Sequence, residues 1–235
     1  MTCARAEWIA EKRCLNEERM DTLFAPTYDA EWGHINPTHR AILARFLDLC
    51  PPGCTILDAA CGTGKYWPAI LGSGRSVRGI DQSGEMLRRA HAKFPAIPIG
   101  KGGLQEIADE AVYAGVICID ALENVFPEDW PRVLGNVHRA LTPGGHVYVT
   151  VELASDDEVA AAYRAGQALG LPVVAGEWAH EGGYHYYPSR GQVECWLDGA
   201  RFSILAETDG DGYWHILARR LATGKEDRAA PYAST

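Results

Sequence analysis

Short β-branched runs alternate with helix-like stretches through the middle of this chain, and that alternation constrains its fold most. Thr55 to Ala60, Ser76 to Asp81, Ile97 to Gly100 and Ala114 to Asp120 read as strands, with His146 to Val151 as a fifth. Between them lie helical patterns. Ser83 caps a helix whose apolar face is Met86, Leu87, Ala90 and Phe94. Trp130, Val133, Leu134, Val137 and Leu141 form a second such stripe, closed by Pro143-Gly144-Gly145. Apolar strands interleaved with helices imply a parallel sheet covered on both faces. Phe202 to Glu207 and Tyr213 to Arg219 differ, since they alternate like an antiparallel pair around Asp209-Gly210-Asp211-Gly212. Helices are also expected over Arg5 to Arg19, Thr38 to Cys50, Lys65 to Leu71, Asp156 to Leu169 and Gln192 to Leu197.

The first strand runs into Leu57-Asp58-Ala59-Ala60-Cys61-Gly62-Thr63-Gly64-Lys65-Tyr66. Two glycines let a ligand approach the backbone without meeting a Cβ. Asp58 precedes them, and Asp81 ends the next strand. Two acids in those places suit a ligand with an amino group and a ribose, S-adenosylmethionine more than a dinucleotide. A dinucleotide fingerprint needs a third glycine for close packing of helix on strand, and Trp67 stands there. Asp58 would also sit beside a pyrophosphate, where negative charge is unfavourable. The alternative without a ligand is a plain strand-to-helix turn.

Bulk properties narrow the class. A chain of 235 residues with a net charge of −9 and no basic run is unsuited to binding a phosphate backbone. No apolar run is long enough for a membrane span, and the first residues lack the pattern of a secretory signal. Seven irregularly spaced cysteines without a CxxC pair favour reduced thiols and a cytoplasmic setting. Cys61 reads as a buried structural thiol.

Four motifs in order resemble the class I S-adenosylmethionine-dependent methyltransferases. They are the loop from Leu57 to Gly64, then Gly79-Ile80-Asp81-Gln82-Ser83 with Met86-Leu87, then Ala121-Leu122-Glu123-Asn124-Val125, and Leu141-Thr142-Pro143-Gly144-Gly145. The resemblance spans about residues 40–151. It implies a Rossmann-like α/β fold with a seven-stranded sheet, mostly parallel with the last strand antiparallel, and helices on both faces. It implies that the backbone of Ala60, Gly62 and Gly64 flanks the methionine part of the cofactor and that Asp58 orients its amino group. Asp81 would hold both ribose hydroxyls, and Gln82 and Met86 would line the adenine pocket. Asp120 falls where the family contacts the methionine amino group. The family's usual Asp after the third strand is missing from Gly100-Lys101-Gly102-Gly103-Leu104-Gln105, so Leu104 and Gln105 are the candidates for that contact. The family's frequent His in the third motif is Asn124 here.

Residues 1–39 are expected to form a helical lid segment in which Tyr28 or Trp32 faces the sulfonium, since aromatic faces attract cations. The core is expected over 40–222, with 155–190 as an insertion on the acceptor side and 223–235 as a disordered tail. His180, Tyr184, His185, Tyr186 and Tyr187 cluster in that insertion. His185 and His34 are the acid/base candidates, against the plainer reading that both only pack. His180 and His185 lack an acid at helical spacing, so they make a poor metal pair. The expected activity is methyl transfer from S-adenosylmethionine to a small-molecule acceptor, without nucleic acid or membrane partners. The alternatives are another transferase using the same cofactor, a non-catalytic cofactor-binding regulator and, more distantly, a dehydrogenase.

Overall fold

The computed structural model describes residues 2–179 and 183–222. The segment expected to be disordered, 223–235, and His180 lie outside the described residues. Five strands, β1 (Thr55–Ala59), β2 (Ser76–Asp81), β3 (Ile99–Lys101), β4 (Tyr113–Cys118) and β5 (Leu141–Glu152), run parallel. A small antiparallel hairpin, β6 (Glu177–Trp178) with β7 (His185–Tyr186), stands apart from them. The last strands, β8 (Phe202–Gly210) and β9 (Tyr213–Arg220), return to the sheet. The sheet order is β3-β2-β1-β4-β5-β9-β8, and β9 runs antiparallel to both its neighbours. This is the expected seven-stranded architecture.

The two buried faces follow from the period of two along each strand. Leu57, Val116, Val147, Val149 and Ile216 join one apolar cluster; Ile56, Ile117, Tyr148 and Leu217 join the other. On the first face lie α6 (Trp130–Ala140) and α8 (Arg190–Gly199), which contribute Trp130, Val133, Val193 and Leu197. The second face is covered by α3 (Pro37–Leu49), α4 (Trp67–Gly72) and α5 (Gly84–Lys93), through Leu43, Phe46, Ile70 and Leu87. Among the described residues no helix is long and apolar enough to cross a membrane.

Some boundaries differ from the sequence reading. The helix after the glycine loop begins at Trp67 instead of Lys65, with Pro68 in its first turn, where a missing N–H costs nothing. β5 begins at Leu141 instead of His146, and its pairing with β4 shifts register between Tyr113 and Gly115. Gly144, at φ +74°, turns the chain within that irregularity.

The N-terminal segment packs onto the core. The first helix, α1 (Cys3–Arg19), sends Trp8 and Ile9 into the first apolar cluster, where Trp8 meets Phe126 and Tyr184 edge-on. Arg5 of α1 reaches Glu177 of β6 at 2.6 Å, and the Tyr184 hydroxyl donates to the same carboxylate at 2.7 Å. Glu177 is fully buried, so this charge is matched on every side. α1 and the insertion holding α7 (Asp156–Ala168) and the hairpin are therefore coupled through one buried ion pair. A π-helical turn, Met20–Phe24, and the short α2 (Tyr28–Trp32) then lead back toward the C-terminal edge of the sheet.

Candidate active site

A cleft opens at the C-terminal ends of β1, β2 and β4. In an open α/β sheet this edge is where ligands bind. Its floor is the loop after β1. Ala60, at φ +65°, and Gly62, at φ +53°, both line the cleft in the left-handed region, which an alanine adopts only when its surroundings impose it. The Cys61 N–H donates to the Ile80 carbonyl at 2.9 Å and ties this loop to β2. Cys61 itself is buried, and that burial pushes its thiol far above the usual range.

Asp81 closes the floor. One carboxylate oxygen accepts the Gly62 N–H and the other the Ser83 N–H, each at 2.8 Å. Burial raises its pKa, while those two N–H groups favour the charge. The carboxylate is thereby held rigidly at the cleft, with lone pairs remaining on both oxygens.

Asp58 and Gly64 do not line the cleft. Asp58 points into the protein, where the Trp67 indole N–H donates to it at 2.8 Å. Burial pushes its pKa up to about 7, against the stabilising indole bond. The Trp67 ring fills the space beside two glycines: a Cβ on Gly64 would lie 2.7 Å from the ring, and one on Gly79 would lie 2.5 Å from it. In this chain an indole occupies the helix-on-strand contact where a dinucleotide fingerprint has glycine.

Asp120 lies on the far wall, at φ +53° just past β4. One oxygen accepts from His39 Nε2 at 2.8 Å; the other lies 3.3 Å from Lys65 Nζ and 3.2 Å from the Tyr66 hydroxyl. Burial opposes its charge, but His39 and Lys65 outweigh that and hold the carboxyl below its ordinary range. Tyr28, Gln82 and Met86 line the cleft, as do Leu104 and Gln105. Tyr28 lies over Gly62, with its ring 3.8 Å from where a Cβ would be. Burial raises its hydroxyl well beyond the usual range, so it stays neutral. Trp32, the other aromatic expected over the ligand, is exposed and absent from the lining.

A family model described as a methyltransferase domain matches residues 56–145. Over those residues the chain is similar to a methyltransferase domain. Its described fold superimposes on a Burkholderia thailandensis 1,6-didemethyltoxoflavin-N1-methyltransferase with a TM-score of 0.67 and 17% identity, over 91% of this chain and 90% of that one. In sequence it is similar to a malonyl-[acyl-carrier protein] O-methyltransferase of Pectobacterium atrosepticum, 34% identical over 51% of this chain and 48% of that protein. It is also similar to a dTDP-4-amino-2,3,4,6-tetradeoxy-D-glucose N,N-dimethyltransferase of Saccharopolyspora spinosa, 29% identical over 40% of this chain and 39% of that protein. The chain thus spans about half the length of the curated relatives it matches, or less.

The two acid/base candidates lie outside the matched segment. His34 is exposed and outside the cleft, because the break between α2 and the Pro37 start of α3 turns it to solvent. His185 is also outside the main cleft. Its Nδ1 lies 2.6 Å from the Glu152 carboxylate at the end of β5, with the Tyr187 hydroxyl 3.3 Å away. Met20 and the Gly102-Gly103 pair line the cleft without having been singled out as contacts. The glycine pair was a readable signal. Met20 was not, since the π-helical turn after α1 carries it there.

Glu123 is the least expected group. It is 6% exposed, its Oε2 has no hydrogen-bond partner, and burial next to Glu152 and Asp120 pushes its pKa up to about 8. A carboxyl protonated in the folded state but ionised in the unfolded chain makes stability fall as pH rises from about 4.5 to 8. Each pH unit across that window costs at most ~1.4 kcal/mol for one group. Glu123→Gln is expected to lose less stability than the parent between pH 6 and 8, by about 2 kcal/mol. Urea denaturation at each pH reads this; parallel curves would mean that Glu123 is already ionised when folded.

Proposed function

We propose that this chain is an S-adenosylmethionine-dependent methyltransferase acting on a small-molecule acceptor. The observation that carries the reading is Asp81: a buried carboxylate at the end of β2, fixed by two backbone N–H groups and lining the cleft at the C-terminal edge of the sheet. Its free lone pairs suit a pair of ribose hydroxyls. Met20, Met86 and Leu104 supply apolar walls suited to a flat base, and Gln82 and Gln105 supply amides at its rim. Across the cleft Asp120 offers a charged carboxylate to an ammonium group, as the methionine end requires. The residues present therefore fit the methyl donor.

When bound, the donor supplies a methyl group already activated on a sulfonium. The chain's own task is alignment and exclusion of water. The left-handed backbone at Ala60 and Gly62 brings the floor close to the ligand, and Tyr28 covers it with a neutral aromatic face. His185 is the proton acceptor in this reading. With Nδ1–H donating to Glu152, its Nε2 keeps a lone pair for a proton leaving the acceptor. A similar His–carboxylate arrangement fixes the tautomer in many sites.

Two outcomes test this reading. S-adenosylhomocysteine at a hundredfold excess over its Kd is expected to stabilise the folded chain by about 2.7 kcal/mol, seen as a higher Tm; no shift at saturation would remove the cofactor and the reaction together. His185→Ala is expected to lower kcat by about a hundredfold while leaving the S-adenosylhomocysteine Kd unchanged. Unchanged turnover would return His185 to a packing role. Tight binding without any demethylated product would instead favour a non-catalytic binding protein.

A further inference from the structure

A second groove begins one strand along from the cleft. Cys118 of β4 pairs with Val149 of β5, so Asp120 and Glu152 end neighbouring strands at nearly the same level. Glu152 lines this groove together with Trp178, Tyr187 and Glu158, and its far wall is the apolar face of α7 around Val159 and Ala162. Trp178 stands edge-on to His185, which Glu152 holds. Near Glu123 along the chain, Ala121 and Asn124 line the cleft, while Glu152, which raises the Glu123 pKa, lines the groove.

The charge of this region has one sign. Among the described residues that line the cleft or the groove, none is Lys or Arg. Lys65, close by, is engaged by Asp120. A carboxylate or phosphate entering here would face Asp120, Glu152 and Glu158 with no Lys or Arg among the lining residues, and like-charge juxtaposition is costly. A positively charged group would meet two acids and two aromatic faces, the surroundings that attract cations.

We propose that the methyl acceptor is an amine on an apolar body, recognised in this groove as its ammonium by Glu152 and the faces of Trp178 and Tyr187; this rests on the methyltransferase reading above. The ammonium first gives one proton to His185 Nε2. The freed nitrogen lone pair then forms the N–C bond to the methyl group, and the C–S bond breaks with its electron pair going to sulfur. The product leaves as an N-methylammonium, and His185 returns its proton to water.

The test uses the full chain loaded with S-adenosylhomocysteine and three probes on one skeleton: 2-phenylethylamine, 2-phenylethanol and 3-phenylpropanoate. Calorimetry first gives the S-adenosylhomocysteine Kd, then the Kd of each probe. The amine is expected to bind at least about tenfold more tightly than the carboxylate. Glu152→Gln is expected to cut that preference to about threefold or less while leaving the S-adenosylhomocysteine Kd unchanged. Trp178→Leu is expected to weaken the amine more than the carboxylate. Equal or tighter binding of the carboxylate, binding of no probe, or a preference surviving both substitutions would overturn the proposal. Should Glu152→Gln fail to fold, the comparison of probes on the unsubstituted chain decides alone. Absence of S-adenosylhomocysteine binding would sink the methyltransferase reading itself. Binding of it without an amine preference would sink only the amine.

Discussion

Asp81→Ala is expected to weaken S-adenosylhomocysteine binding by about a hundredfold or more. Hydrogen bonds to a charged group contribute about 1.5–3 kcal/mol each, and the proposed ribose contact uses two. The substitution also releases the Gly62 and Ser83 N–H groups, so the loop that forms the floor loses its anchor to β2. Those losses differ in kind. Asp81→Asn keeps one carbonyl oxygen for a backbone N–H and is expected to recover much of the stability but little of the affinity. Titration calorimetry and urea denaturation on both variants separate the effects. An unchanged Kd in Asp81→Ala would remove Asp81 from the site.

Trp67→Ala is expected to destabilise the fold by about 3–5 kcal/mol, the usual cost of deleting a large buried aromatic side chain. Trp67 is fully buried, meets Phe94 edge-on and fills the gap beside Gly64 and Gly79. It also donates a hydrogen bond to Asp58, whose charge Lys65 favours as well. Trp67→Phe separates packing from hydrogen bonding. It keeps most of the ring and is expected to cost about 1–3 kcal/mol for the stranded carboxyl. The sign of its pH dependence follows from Asp58. Burial already raises that group to about 7, and the indole N–H opposes the rise. Without the indole, Asp58 keeps its proton to higher pH in the folded state. The gap between parent and Trp67→Phe should therefore widen as pH climbs through 7 and narrow below it. A gap independent of pH would mean that the indole and Asp58 are not coupled as described.

Much of the sheet core and the cleft floor was legible because it is written in local patterns. The strand ends at Asp58 and Asp81, the glycines between them and the Pro143-Gly144-Gly145 turn are neighbours in sequence, and backbone sterics confine such residues to a few conformations. Nine of the cofactor candidates, from Tyr28 to Asp120, line the cleft. Asp58 fell on the other side of its strand. Its position in the loop was readable, but the direction of its side chain depended on whether an indole waited in the core. His34 was a chemical type without a place: nothing in Gly33-His34-Ile35 told whether the turn would face inward.

The sequence by itself determined the parallel sheet, its antiparallel last strand, the glycine loop and the acid that follows it. Each depends on periodicity or on residues close along the chain. Only the tertiary structure decided which groups answer Asp120, since His39 lies 81 positions before it. The same holds for the Glu152 partner of His185, 33 positions away, and for the burial of Glu123 Oε2 without a hydrogen-bond partner. Such contacts form when distant elements pack, and burial then sets the charge of the groups enclosed. That is why the proposed donor site could be read from the chain, whereas the proposed acceptor side rests on Glu152, Trp178 and Tyr187 brought together in space.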